Sequence, residues 1–191
     1  MTKGDGNTMD RSLENFFFRS MCQALIAEDQ QLRSLFDANA PKYAQQHKGI
    51  GCLYETTMVY VVLKRLLSEK FPLTVSWEHP YPGHPTLHSD LAFLDDNHLD
   101  SLVEFKIWLS EDGNEIRSDV LKLKNCGFGG GKYLSIVELF GGDIESNAQW
   151  LMQQNPEAEL VAKELFGTYC FHPINKQMEY VSVNLYLLKV G

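Results

Sequence analysis

The sequence predicts an α/β protein with a central mixed β-sheet flanked by helices. Three observations carry this expectation. Runs rich in β-branched and aromatic residues recur at 73–77, 87–94, 102–109, 133–140 and 180–188, and polar turns such as Asp95-Asp96-Asn97 and Glu111-Asp112-Gly113 bound them. Stretches with apolar residues at helical spacing lie at 10–38, 51–67 and 114–125. The two kinds interleave in the order helix, three strands, helix, strand, as a layered α/β domain requires.

The elements follow in chain order. The opening Met1-Thr2-Lys3-Gly4-Asp5-Gly6-Asn7 has no apolar run of the secretory kind, so residues 1–9 read as a flexible tail. In the helical region at 10–48, Leu13, Phe16, Phe17, Met21, Leu25, Leu32 and Leu35 are spaced for packing. Phe16, Phe17 and Phe18 cannot all face inward on one helix, so one of them is expected to meet another element or a partner subunit, which allows a homo-oligomer. Residues 49–140 form the core of the domain, and 141–191 add helices at 144–166, broken by Asn155-Pro156, and a last strand. His79, His84 and His88 fall among Pro80, Pro82 and Pro85, which reads as a polar loop.

The chemistry concentrates in Val103-Glu104-Phe105-Lys106-Ile107-Trp108. Side chains alternate along a strand, so Glu104 and Lys106 share one face with Leu102 and Trp108, while Val103, Phe105 and Ile107 take the other. Apolar neighbours are out of place on a solvated face. Asp90 likewise stands beside Leu91, Ala92 and Phe93 on the preceding strand, with His88 on its own face. Glu55 shares the inward stripe of its helix with Met58, Val59, Val62 and Leu66. There it either reaches water at the helix end or needs a partner, because an isolated buried carboxylate is costly. Asp119, beside Ile116 and Val120 on the following helix, is a further candidate.

Glu55, Asp90 and the Glu104-x-Lys106 triplet, in this order and on these elements, resemble the PD-(D/E)XK nuclease superfamily over residues 49–140. Ser89 stands where the name-giving proline would be. The resemblance implies a restriction-endonuclease-like αβββαβ core in which the four side chains converge at one end of the sheet. It also implies metal-dependent phosphodiester hydrolysis, of DNA rather than RNA. Asp90, Glu104 and the carbonyl of Phe105 would hold Mg²⁺, with Mn²⁺ able to substitute. Lys106 would orient or deprotonate the attacking water, and Glu55 would act through a water. The alternative is a catalytically silent member of the same fold, serving as a protein-interaction or regulatory module.

Composition bounds these readings. The 191 residues are 44% hydrophobic and 22% charged, as in a globular domain, and the longest apolar stretch is too short to span a bilayer. Cys22, Cys52, Cys126 and Cys170 are scattered without a C-x-x-C pair, which fits a reducing, cytoplasmic setting. The net charge of −8 argues against tight nonspecific duplex binding. Lys122, Lys124 and Lys132 are candidates for a local basic rim. The glycines at 127–131 precede Lys132 and Tyr133 rather than a P-loop Lys-Ser or Lys-Thr, and they read as the end of a helix and a turn.

Overall fold

A computed structural model describes residues 9–39, 48–109, 113–171 and 177–191. The expected tail at 1–8, the end of the N-terminal helical region at 40–47 and the turn residues Glu111 and Asp112 lie outside the described residues. Among the described residues the chain order is α1 (Arg11–Asn39), a 3-10 turn (Ile50–Cys52), α2 (Glu55–Ser68), β1 (Thr74–Tyr81), β2 (His84–Asp95) and β3 (His98–Trp108). Then come α3 (Asn114–Asn125), β4 (Gly131–Leu139), α4 (Ile144–Gln154), β5 (Ala158–Phe171) and β6 (Met178–Val190). The strands form one mixed sheet in the order β1-β2-β3-β4-β6-β5. Only β3 and β4 run parallel; the other neighbours are antiparallel.

Helices cover both faces of this sheet. Phe17, Met21 and Leu25 of α1 and Met58, Val59 and Val62 of α2 pack on Phe93, Val103, Phe105, Val137 and Leu185. On the opposite face, Ile116, Val120 and Leu123 of α3 and Ala148 and Leu151 of α4 pack on Ala92, Leu102, Leu134, Ile136 and Leu188. Two-sided burial explains why β3 and β4 carry apolar residues on both faces. The three phenylalanines all find neighbours within the chain. Phe17 meets Phe93 edge-on, Phe16 lies against Phe71, and Phe18 is buried in the same cluster.

Local chemistry sets the boundaries. Asp96 and Asn97 both take positive φ in the two-residue loop between β2 and β3, the conformation a tight hairpin demands. Gly127, at φ 73, turns the chain after α3, as expected for the glycine-rich segment. Asp143 caps α4 by accepting from the Ser146 N–H. None of the helices among the described residues is long and apolar enough to cross a membrane.

Three expectations need correction. Residues 158–171 form the edge strand β5 rather than a second C-terminal helix, pairing with β6 along its whole length. Ala, Glu, Leu and Lys favour a helix there, but β6 carries a row of backbone groups that only another strand can pair, and propensity yields to that demand. The histidine- and proline-rich segment is a hairpin rather than a loop, with His79 on β1 and His84 and His88 on β2. Pro80 is tolerated because β1 is an edge strand. The helix expected from 51 begins at Glu55, after the 3-10 turn.

Glu14 ties α1 to the sheet. It is 3% exposed and accepts from Tyr133 Oη and Lys189 Nζ, each at 2.8 Å. Glu14→Ala would strand the buried tyrosine hydroxyl. We expect a loss of about 2–4 kcal/mol, read as a lower urea midpoint at unchanged slope.

Candidate functional site

The site begins with a split in the sheet. β2 pairs with β3 from Asp95 opposite His98 to Leu91 opposite Val103, and no further. Beyond that point β2 follows β1 alone, as far as Tyr81 opposite His84, while β3 continues beside β4 to Trp108 opposite Glu138. Glu78, at φ 50, kinks β1 where the hairpin leaves. The end of β3 therefore has a strand on one side and a gap on the other.

Side-chain carboxylates fill the places of the missing strand carbonyls. Asp90 Oδ2 accepts from the Phe105 N–H at 2.7 Å, and Glu55 Oε2 accepts from the Ile107 N–H at 3.0 Å. Glu55 can do so because α2 starts at that residue, which places its side chain at the end of the helix nearest the gap. Glu55 combines the two options left open by the sequence, since it stands at the helix end with about a third of its side chain exposed (34%) and is partnered by the Ile107 N–H and Lys106.

Glu104 and Lys106 lie on the α3 face of β3, as alternation requires. Glu104 is buried, accepts from the Tyr81 hydroxyl, and lies 2.8 Å from Lys122 Nζ. Asp90 is near enough for its charge to raise the proton affinity of Glu104. Lys106 Nζ sits among three carboxylates, 3.7 Å from Glu55, 3.7 Å from Asp119 and 3.8 Å from Glu115. A cavity of about 120 Å³ opens beside it, lined by Ile107, Trp108, Gly113 and Glu115, with room for several waters. Glu55 thus meets Lys106, and both Glu55 and Asp90 hold the backbone of the strand that bears Glu104 and Lys106.

Burial dominates the titration of these groups. It pushes Glu104 up to about 7, the charge of Asp90 adding to the effect while Lys122 and Tyr81 oppose it. Burial also raises Asp90 against the Phe105 N–H, and Glu55 against the Ile107 N–H and Lys106. Asp119 is raised by burial as well, against Lys106 and Lys122. For Lys106 burial acts downward, but Glu55, Asp119 and Glu115 together outweigh it and the ammonium is held more firmly than usual.

Several residues escaped the sequence reading or were only touched by it. Tyr81 ends β1 inside a segment that looked like a loop, so nothing marked its hydroxyl. Glu115, Asp119 and Lys122 recur at i, i+4 and i+7 on α3, and that stripe was legible as one face directed at the acidic strand. The expected basic rim reduces to Lys122 at this place, because Lys124 pairs with Glu157, as does Arg117. His88 is exposed on the hairpin. Among the described residues, no three His, Cys, Asp or Glu side chains are grouped so as to hold a metal alone. Neither family models, nor curated proteins, nor solved structures yield a match to this chain.

The protonation of Glu104 has a consequence for stability. Between the ordinary 4.5 and about 7 the folded protein keeps a proton that the unfolded chain has released. Stability from this group is therefore present at low pH and lost as pH rises through that window, by at most about 3 kcal/mol. Denaturant titrations between pH 5 and 7.5 in EDTA should show the decline, and Glu104→Gln should flatten it.

Proposed function

We propose that the chain is a metal-dependent phosphodiester hydrolase of the PD-(D/E)XK type, acting on nucleic acid and on DNA rather than RNA. The observation that carries this reading is the gap beside the end of β3, where Glu55, Asp90, Glu104 and Lys106 meet from three separate elements. Support comes also from the run α2, β1, β2, β3, α3, β4, with an antiparallel three-strand meander followed by a parallel crossover. That is the order expected of a restriction-endonuclease-like core.

The donor set suits a hard divalent cation. Asp90 and Glu104 are oxygen donors on neighbouring strands, and burial, with a smaller contribution from the charge of Asp90, raises the proton affinity of Glu104, so a cation bound there would offset a cost the fold already carries. Asp90, Glu104 and the Phe105 carbonyl would hold Mg²⁺ or Mn²⁺, with water completing the shell. Such a cation, when bound, supplies Lewis-acid polarisation of a phosphoryl oxygen and acidification of water.

The chain's own residues supply the remainder. Lys106 stays an ammonium at neutral pH, so it donates hydrogen bonds and offsets charge developing on phosphorus rather than serving as the base. Glu55, with its proton affinity raised by burial, is the better acceptor for the proton that the attacking water gives up. Asp90 is anchored by a backbone N–H, which fixes its carboxylate before any ligand arrives.

A second reading, a catalytically silent interaction or regulatory module, is favoured by one observation. Lys106, Lys122, Lys124 and Arg117 are each paired with carboxylates, in a chain with net charge −8. A surface of that kind grips phosphates weakly.

Supercoiled, linear, single-stranded and branched DNA, and RNA, incubated with Mg²⁺ or Mn²⁺, separate the two. We expect cleavage that EDTA abolishes and that Asp90→Ala and Lys106→Ala each reduce by roughly 10²-fold or more, with circular dichroism unchanged. Cleavage that persists undiminished in both variants would sink the enzymatic reading, and inactivity on every substrate would leave the module ahead.

A further inference from the structure

We propose that Lys122 is a built-in counter-cation of the site: its ammonium holds Glu104 in the cation-free protein and leaves when a divalent ion binds. This rests on the reading of Asp90 and Glu104 as the metal-binding pair, and it deepens that reading by naming the residue of α3 that sets how readily the pair takes a metal.

The geometry distinguishes the two lysines. Lys106 is spread over three carboxylates on the far side of the cluster. Lys122 makes its close ion pair with Glu104, at 2.8 Å from Oε1, the oxygen that also receives the Tyr81 hydroxyl, while its charge is also felt by Asp90 and Asp119. A divalent ion and the ammonium brought to the same carboxylate repel one another, which weakens the hold of Glu104 on Lys122. The exchange therefore removes one positive charge and introduces two, in a cluster where Glu55, Asp90, Glu104, Glu115 and Asp119 face only two lysines.

Lys122 is also built to leave. Its side chain is 33% exposed, and its flexible stem starts from an exterior helix. Its ammonium lies over the Tyr81 ring, 5.2 Å from the centre, while it pairs with Glu104, so the ring contact and the ion pair are made together. Tyr81, buried at the base of the hairpin, stays behind and keeps its hydrogen bond to Glu104. Once released, the ammonium is within reach of the gap and available to a substrate phosphate. The order of events is then cation first and nucleic acid second, which gives an acidic site a positive surface only when the metal is in place.

Mn²⁺ binding at pH 8, followed by calorimetry and electron paramagnetic resonance, tests the exchange without any assay of cleavage. Lys122→Gln, which keeps a donor on Glu104 but removes the charge, should bind Mn²⁺ on the order of tenfold more tightly than wild type. Lys122→Arg should stay close to wild type, and Asp90→Asn should lose binding. In wild type, the rate of Lys122 acetylation should rise several-fold on adding Mn²⁺, while that of Lys124, paired with Glu157, should not. The labelling result also decides the matter if Lys122→Gln fails to fold. Binding that depends on Asp90 but is unchanged or weakened in Lys122→Gln, or Lys122 labelling indifferent to Mn²⁺, would overturn the counter-cation and leave the metal site standing. Absence of binding in both wild type and Lys122→Gln would overturn both, whereas binding gained only in Lys122→Gln would support the exchange.

Discussion

Everything at the gap follows from how the backbone of β3 is satisfied where β2 leaves it. A strand end buried under helices carries N–H groups that must find acceptors, and the partner strand that would supply them has turned away with β1. Asp90 and Glu55 take the role. Because each is fixed by a backbone donor, neither wanders with its side-chain rotamers, and the strand that bears Glu104 and Lys106 is held at the same time. One constraint of backbone hydrogen bonding thus both closes the fold and assembles a chemical cluster.

Electrostatics makes that cluster unsettled. Five carboxyl groups, from Glu55, Asp90, Glu104, Glu115 and Asp119, face Lys106 and Lys122 in a partly desolvated place. Burial, aided by the charge of Asp90, keeps a proton on Glu104, and the surrounding acids strengthen the proton on Lys106. Elsewhere two buried acids each gather several donors. Glu138 receives Asn147, Asn184 and Tyr186, and Asp29 receives Arg33, Thr168 and the Ile50 N–H. At the gap, burial disfavours ionisation beyond what its partners offset.

Much of the scaffold was legible along the chain. The helical stripe of α3 was bounded as found, since Asn114 and Asn125 mark its ends and Gly127 follows. Alternation put Glu104 and Lys106 on one face and Phe105 on the other, and the stripe of α2 aimed Glu55 inward. Where the reading failed, the deciding contact was distant. Residues 158–171 carry helix-forming side chains and became a strand because β6 lay open beside them. Tyr81 looked like a loop residue because prolines surround it, and only the hairpin's path brings its hydroxyl to Glu104.

Residue type, face and order along each element are local properties, so period and composition were enough to specify an α/β chain with an acidic, lysine-bearing strand at its centre. The split between β2 and β3, the capture of the Ile107 N–H by a glutamate 52 residues away, and the pairing of Lys122 with Glu104 were decided by tertiary structure alone. They depend on where the strands part and on how α3 lies across the sheet. No local pattern encodes a distance between elements that meet only once the chain has folded.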